Sequence, residues 1–179
     1  MKIVNRVFKG RLQCANIDLN FVHENVPNSR LHMVKPAQVT VRTGCGATCI
    51  ILSKGALRLM GGGVVTNCEE ARAVVQNDVL RFWCHEECPQ LTLQTMTAVF
   101  NLPERINLYK FNKVIASVYD FELFSALRVC GFGSVCVNLF SSGKVVLCGI
   151  KSEQQAEDII RNIYLVYNTD YKSVTNTTE

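Results

Sequence analysis

The sequence predicts an α+β fold built twice over within 179 residues. Three observations predict it. First, two stretches share one design: "CIILSKGALRLMGGG" (Cys49 to Gly63) and "VNLFSSGKVVLCGIK" (Val137 to Lys151) both read apolar strand, Ser-x-Gly turn, apolar strand, glycine. Second, each is followed by a helix with a start signal and apolar residues at helical spacing. Third, each half opens on a strand and a short helix, the two halves lying about 88 residues apart.

The elements follow in order. "KIVNRVFKG" is the opening strand and "IDLNFVHENV" forms a short helix. After the strands around "AQVTVR" and the first hairpin, "TNCEEARAVVQNDVLRF" begins with Thr66 as N-cap and Glu69 three residues on, a capping box. Its apolar face is Ala71, Val74, Val75 and Val79. The second half repeats the plan with "TLQTMTAVF", "INLYKFNKVIAS" and the second hairpin. "SEQQAEDIIRNIYLVYN" then opens with Ser152 and Gln155 in the capping relation and carries Ala156, Ile159, Ile160, Ile163 and Val166. The expected division is a first repeat over 1–90, a second over 91–168, and a polar tail, 169–179, expected to be disordered.

Composition excludes more than it specifies. The chain is 48% hydrophobic and 19% charged, with no apolar run long enough for a membrane span. "MKIVNRVFKGRLQC" scatters charge through its start and does not read as a signal peptide. A net charge of +4 permits nucleic-acid binding without arguing for it. Nine cysteines, several of them in apolar runs (Cys49, Cys136, Cys148), read as small core hydrophobes in a reducing compartment. "CHEEC" sets Cys84, His85 and Cys88 at ligand spacing, but a closed zinc site needs four ligands and no second Cys/His pair follows. No cofactor is expected. His23, His32 and His85 sit in no nucleophile or metal constellation, and no glycine-rich phosphate loop follows a strand, so an enzyme is not expected.

Helices covering one face of each antiparallel sheet leave the other face bare. An exposed sheet face bearing Phe, Val and Leu calls for a partner. The alternative is that the two halves pack face to face and bury it.

Here the sequence resembles the TATA-box-binding protein family, over roughly residues 3–168. "ELF" (Glu122 to Phe124) and "LFSSGKVVLCGIK" are similar to the family's "ELFPG" and "IFVSGKVVLTGAK", and "LQTM" to its "IQNM". "CEEARAVVQ" and "SEQQAEDIIRNIY" lie where the family has its two long convex-side helices. The resemblance implies a two-repeat saddle, a curved antiparallel sheet with helices on the convex face. It implies a general transcription factor that binds the minor groove of A·T-rich promoter DNA and recruits initiation factors, in the nucleus or, for a viral chain, at the site of viral transcription. Its wedge phenylalanines map onto Phe124 and Phe140 in repeat 2, but onto Pro36 and Leu52 in repeat 1. Of its groove-floor asparagines, one is Asn5 and the other position is Thr95. Its valine positions hold Val7, Thr97, Arg58 and Val146, and its threonine positions Met60 and Cys148. Phosphate-facing lysines survive as Lys144 and Lys151, against Ala56 and Gly63 in repeat 1. Asp120 and Glu122 match the carboxylates that meet transcription factor IIB; contact with the RNA polymerase machinery is also implied. Repeat 2 is thus expected to carry most DNA contacts, with relaxed specificity in repeat 1. The competing expectation is an interaction module that keeps the fold and has lost DNA binding.

Overall fold

The computed structural model describes residues 1–14, 16–84 and 87–176. The chain divides into two compact units: Asn5–Thr95, and Met1–Val4 with Met96–Glu179. Each unit has the same ingredients.

In the unit of the first repeat, the strands are β1 (Lys2–Arg11), β2 (Ser29–His32), β3 (Gln38–Arg42), β4 (Thr48–Leu52) and β5 (Ala56–Met60), in the antiparallel order β2-β3-β4-β5-β1. Helices α1 (Leu19–Asn25) and α2 (Cys68–Asp78) complete it. Period-two alternation sorts every strand into two faces. Val39, Val41, Cys49, Ile51, Leu57, Leu59 and Phe8 are buried with Leu19 and Val22 of α1 and Ala71 and Val75 of α2. The residues between them, including Thr40, Ile50 and Arg58, are half-buried or exposed on the face without helices.

The second repeat matches it with β6 (Thr92–Asn101), β7 (Ser117–Val118), β8 (Ala126–Val129), β9 (Cys136–Phe140) and β10 (Lys144–Ile150), in the order β6-β10-β9-β8-β7. Its helices are α3 (Leu108–Asn112) and α4 (Glu153–Val166). Here Val137, Leu139, Val145 and Leu147 face Ala156, Ile159 and Ile163 of α4 in one core. Burying a Val, Leu or Ile contributes ~1.5–3 kcal/mol. The α+β class expected from the sequence is the observed one.

The duplication is visible bond by bond. Gly55 N–H donates to Leu52 O (2.9 Å) and Gly143 N–H to Phe140 O (2.9 Å). Leu12 N–H then donates to Gly55 O (2.9 Å), and Leu102 N–H to Gly143 O (2.8 Å). Both glycines need their left-handed backbone, with φ of 81° and 85°, and a Cβ on Gly55 would stand 2.8 Å from the Cys14 carbonyl oxygen.

Two local expectations change. Helix α2 is capped by Asn67 rather than Thr66: Asn67 Oδ1 accepts from Glu70 N–H (2.9 Å). The Glu70 carboxylate in turn accepts from Thr66 N–H (2.8 Å), so the box is closed one residue later than the Thr66–Glu69 spacing suggested. These bonds hold the exposed Glu70 carboxyl below the usual carboxylate range. Ser152 does cap α4, accepting from Gln155 N–H (3.1 Å), while Gln155 Oε1 accepts from Lys151 N–H (2.8 Å).

Of the tail expected to be disordered, 169–179, residues 169–176 lie in a π-helical turn, Tyr167–Tyr171, and a last helix α5 (Lys172–Asn176), while 177–179 lie outside the described residues. Tyr171 explains it. Its ring lies 5.2 Å from that of Phe111, its hydroxyl accepts from Asn107 N–H (2.9 Å), and it is buried in the second core. Tyr167, also buried, donates its hydroxyl to the Glu104 carboxylate, and burial pushes that phenol up to about 12. No described helix is long and apolar enough to cross a membrane.

Candidate nucleic-acid interface

The helix-free face of the second repeat is assembled from every other residue of four strands. Register fixes its rows. Val146 stands opposite Val99 on one side and Asn138 on the other, and Asn138 opposite Arg128. Cys148 stands opposite Thr97 and Cys136. Phe140 stands opposite Ala126, two residues after Phe124. Phe124 and Phe140 meet edge-on, ring centroids 6.2 Å apart. Phe124 is 44% exposed, Phe140 is half-buried, and neither belongs to the core packed under α4. Two partly exposed aromatic rings held against each other are stiff and apolar, which suits insertion between planar groups. Lys144 is exposed at the start of β10, at the same end of the hairpin as Phe140. Lys151 is exposed just before α4.

The same face in the first repeat differs in chemistry. Gln38 stands opposite Leu52, the register that Ala126 and Phe140 keep in the other repeat, which puts Pro36 and Leu52 at the places of Phe124 and Phe140. Pro36 and Leu52 form no ring pair. They line a cavity of about 860 Å³ with Ala37, Arg11, Lys35 and Lys54. Arg58 is exposed, opposite Lys9 on β1 and Ile50 on β4; the corresponding row of repeat 2 holds Val146, Val99 and Asn138. Val7 stands opposite Met60.

Asn5 is held by the glycine run that follows β5. Gly62 N–H donates to Asn5 Oδ1 (3.0 Å), and Gly61 N–H to Arg6 O (2.8 Å). With its oxygen engaged, Asn5 offers its Nδ2 donor end, and donors suit a minor groove that displays the acceptors N3 of adenine and O2 of thymine. Gly61 serves close packing, since a Cβ there would meet Val65 Cβ at 2.6 Å. Thr95 and Thr97 are half-buried on β6 and offer hydroxyls where Asn5 and Val7 stand in repeat 1.

The loop before β8 separates the two carboxylates expected to dock a partner. Asp120 Oδ1 accepts from Glu122 N–H (3.1 Å) and Leu123 N–H (3.4 Å), and Asp120 O accepts from Phe124 N–H (2.9 Å). Asp120 thus builds the turn that presents Phe124. Around it Phe121 is 60% and Leu123 84% exposed, and the Tyr109 ring lies 6.3 Å from that of Phe121.

Of the suggested metal ligands, His85 lies outside the described residues. Cys88 is buried, its thiol pushed up to about 11 by burial, and its N–H donates to Gln76 Oε1 (2.7 Å). Burial likewise pushes the Cys49 thiol up to about 12. Among the described residues no three potential ligands gather.

Sequence reasoning missed Lys9, Arg11, Arg30, Arg42, Arg128 and Asn138 on these faces. The signal was present: Val7, Lys9 and Arg11 alternate with buried Phe8 and Leu12, so a period-two reading carried one residue further puts the cations on the open face.

Residues 90–168 match the family described as "Transcription factor TFIID (or TATA-binding protein, TBP)". Among solved structures, the TBP of Methanococcus jannaschii superposes with a TM-score of 0.72 at 26% sequence identity, covering 93% of this chain and 97% of that one. Among curated proteins, none matches significantly in sequence.

Proposed function

We propose that the chain is a divergent member of the TATA-binding-protein family and a minor-groove DNA-binding transcription factor whose second repeat supplies the wedge. The observation that carries this reading is the Phe124–Phe140 pair, edge-on and outside the core on the helix-free face. In this reading the pair unstacks one base step at one end of the site, at a cost of a few kcal/mol that the wider contact with bent DNA offsets. Lys144 and Lys151 meet phosphates beside it, and Val146, Cys148, Thr97 and Thr95 cover the groove floor. Asn5 adds a donor to base-edge acceptors, next to Val7. Repeat 1, with Pro36 and Leu52 in place of rings, holds DNA without kinking it, so the A·T preference is relaxed. Promoter DNA is the site of action, in the nucleus or where a viral genome is transcribed. The protein acts by binding, not by catalysis.

The loop from Tyr119 to Phe124 meets a transcription factor IIB-like protein in the same reading. Glu122 supplies charge, Asp120 holds the loop, and exposed Phe121 and Leu123 supply apolar area. RNA polymerase is then reached through that partner.

The exposed aromatic loop also supports a second reading, an interaction module that has lost DNA binding. An electrophoretic titration on A·T-rich and G·C-rich duplexes separates the two. The first reading expects binding with a preference for A·T; absence of binding to either duplex leaves the second.

A further inference from the structure

The helix-free face of the first repeat is not simply stripped of the contacts the second repeat keeps. It is basic. Lys9, Arg11, Arg30, Arg42 and Arg58 all lie on it, and β1 to β5 contain no Asp or Glu. Lys9 and Arg58 stand directly opposite each other on neighbouring strands. Like charges in that relation destabilise a sheet, and the matching pair in repeat 2 is Val99 with Val146. Among the described residues neither cation has a carboxylate to offset the repulsion. Arg11 follows Lys9 on the same face, donating to Lys54 O (3.1 Å), and lines the cavity whose rim also carries Lys35 and Lys54. The cations therefore form one track, from the Lys9–Arg58 pair through Arg11 to Lys35 and Lys54.

We infer that this track is a phosphate-binding site for a nucleic-acid strand, reading backbone charge rather than base edges. The inference rests on the proposed nucleic-acid function but not on the minor-groove wedge. A bound phosphate row relieves the repulsion between Lys9 and Arg58, so binding and local stability are coupled. An acidic peptide would satisfy the charges as well. Nucleic acid is favoured because four of the face's five cations are the planar, bidentate phosphate donors Arg11, Arg30, Arg42 and Arg58, and Arg42 and Arg58 are exposed on β3 and β5, strands paired on both sides that leave no free edge for a peptide backbone.

The test is the salt dependence of binding for the wild-type chain and Lys9→Val/Arg58→Val, on an A·T-rich and on a G·C-only duplex. Because each phosphate contact contributes about 0.9 to the slope of log affinity against log salt, the double variant loses roughly two units of slope on both duplexes. Between 50 and 200 mM salt the wild-type affinity then falls roughly tenfold more than the variant's. The variant's melting temperature is unchanged or higher, since a Val–Val pair replaces a repulsive one. Lys9→Gln/Arg58→Gln, which keeps the face polar, gives the same slope change, and Arg161→Ala on α4 gives none. A wild-type slope retained by the folded variants overturns the inference. So does a loss seen only with a polyglutamate probe, which assigns the track to an acidic protein. Absence of A·T preference and bending, with the slope still reduced on the G·C duplex, overturns the minor-groove reading and leaves the track standing. Intact A·T preference and bending with an unmoved slope does the reverse.

Discussion

Replacing Phe124 and Phe140 by alanine tests whether the edge-on pair works on DNA or on the fold. The two roles predict different magnitudes. Truncating a fully buried phenylalanine costs about 3–5 kcal/mol. Phe124 is 44% exposed and Phe140 half-buried, and neither sits in the core under α4. Their mutual edge contact is worth about 0.5–1.5 kcal/mol beyond area. The folding loss of the double variant is therefore about 1–2 kcal/mol, a melting shift of roughly 2–8 °C for a chain of this length. Against nucleic acid, each ring stacked on a base is worth about 1–3 kcal/mol by alanine substitution. Two rings give about 2–6 kcal/mol, an affinity loss between roughly 30-fold and 10⁴-fold. Titration of a labelled A·T-rich duplex, with fluorescence energy transfer across its ends, reads affinity and bend together. Both fall in the double variant. Unchanged affinity with a melting drop above about 10 °C refutes the wedge, because the rings would then be structural. Phe111→Ala is the comparison: that ring is wholly buried, so it lowers melting strongly and leaves the bend of the folded fraction intact.

With one ring pair, the duplex is kinked mainly at one end, and its total bend stays below the ~80° measured for TATA-binding proteins themselves; a full, symmetric bend would make Pro36 and Leu52 wedges. Glu122→Lys abolishes binding of a IIB-like partner in pull-down and spares DNA binding, whereas Asp120→Lys also weakens DNA binding, because Asp120 builds the turn that presents Phe124; equal effects of the two reversals refute that division. Tyr171→Ala costs about 3–5 kcal/mol of stability by the loss of a buried aromatic, and calorimetry showing no change would mean that the chain after Asn168 is dispensable. Glu70→Gln removes the charge that the Thr66 bonds stabilise; since the folded carboxyl titrates below its usual range, its contribution is present above the unfolded pKa and lost as pH falls through the folded one, so wild type and variant converge in acid melting curves.

What was legible in the sequence, and what was not, follows from how a sheet encodes its faces. The hairpins, the cap of α4 and the repeat itself announce themselves through local patterns: a glycine at the turn, a serine before a glutamine, apolar residues at fixed spacing. The cap at α2 was missed by one residue because Thr66 and Asn67 are both good caps, and only the Asn67 oxygen bonding Glu70 N–H decides between them. The order in the tail was missed because one buried tyrosine among polar neighbours gives no periodic signal; its anchor is Phe111, sixty residues earlier in the chain. The basic face was missed for a different reason. No single offset aligns the repeats: ninety residues separate Leu12 from Leu102, and eighty-eight separate Gly55 from Gly143. A comparison position by position finds Arg58 where an apolar residue is expected and suggests a single electrostatic contact in an otherwise eroded repeat. Only the pairing register, by setting Lys9 opposite Arg58 and Val99 opposite Val146, shows that two cations stand side by side in repeat 1 where repeat 2 has two valines. Erosion would scatter replacements without regard to charge. Lys9 opposite Arg58, on strands free of any Asp or Glu, is the pairing on which the proposed phosphate track rests.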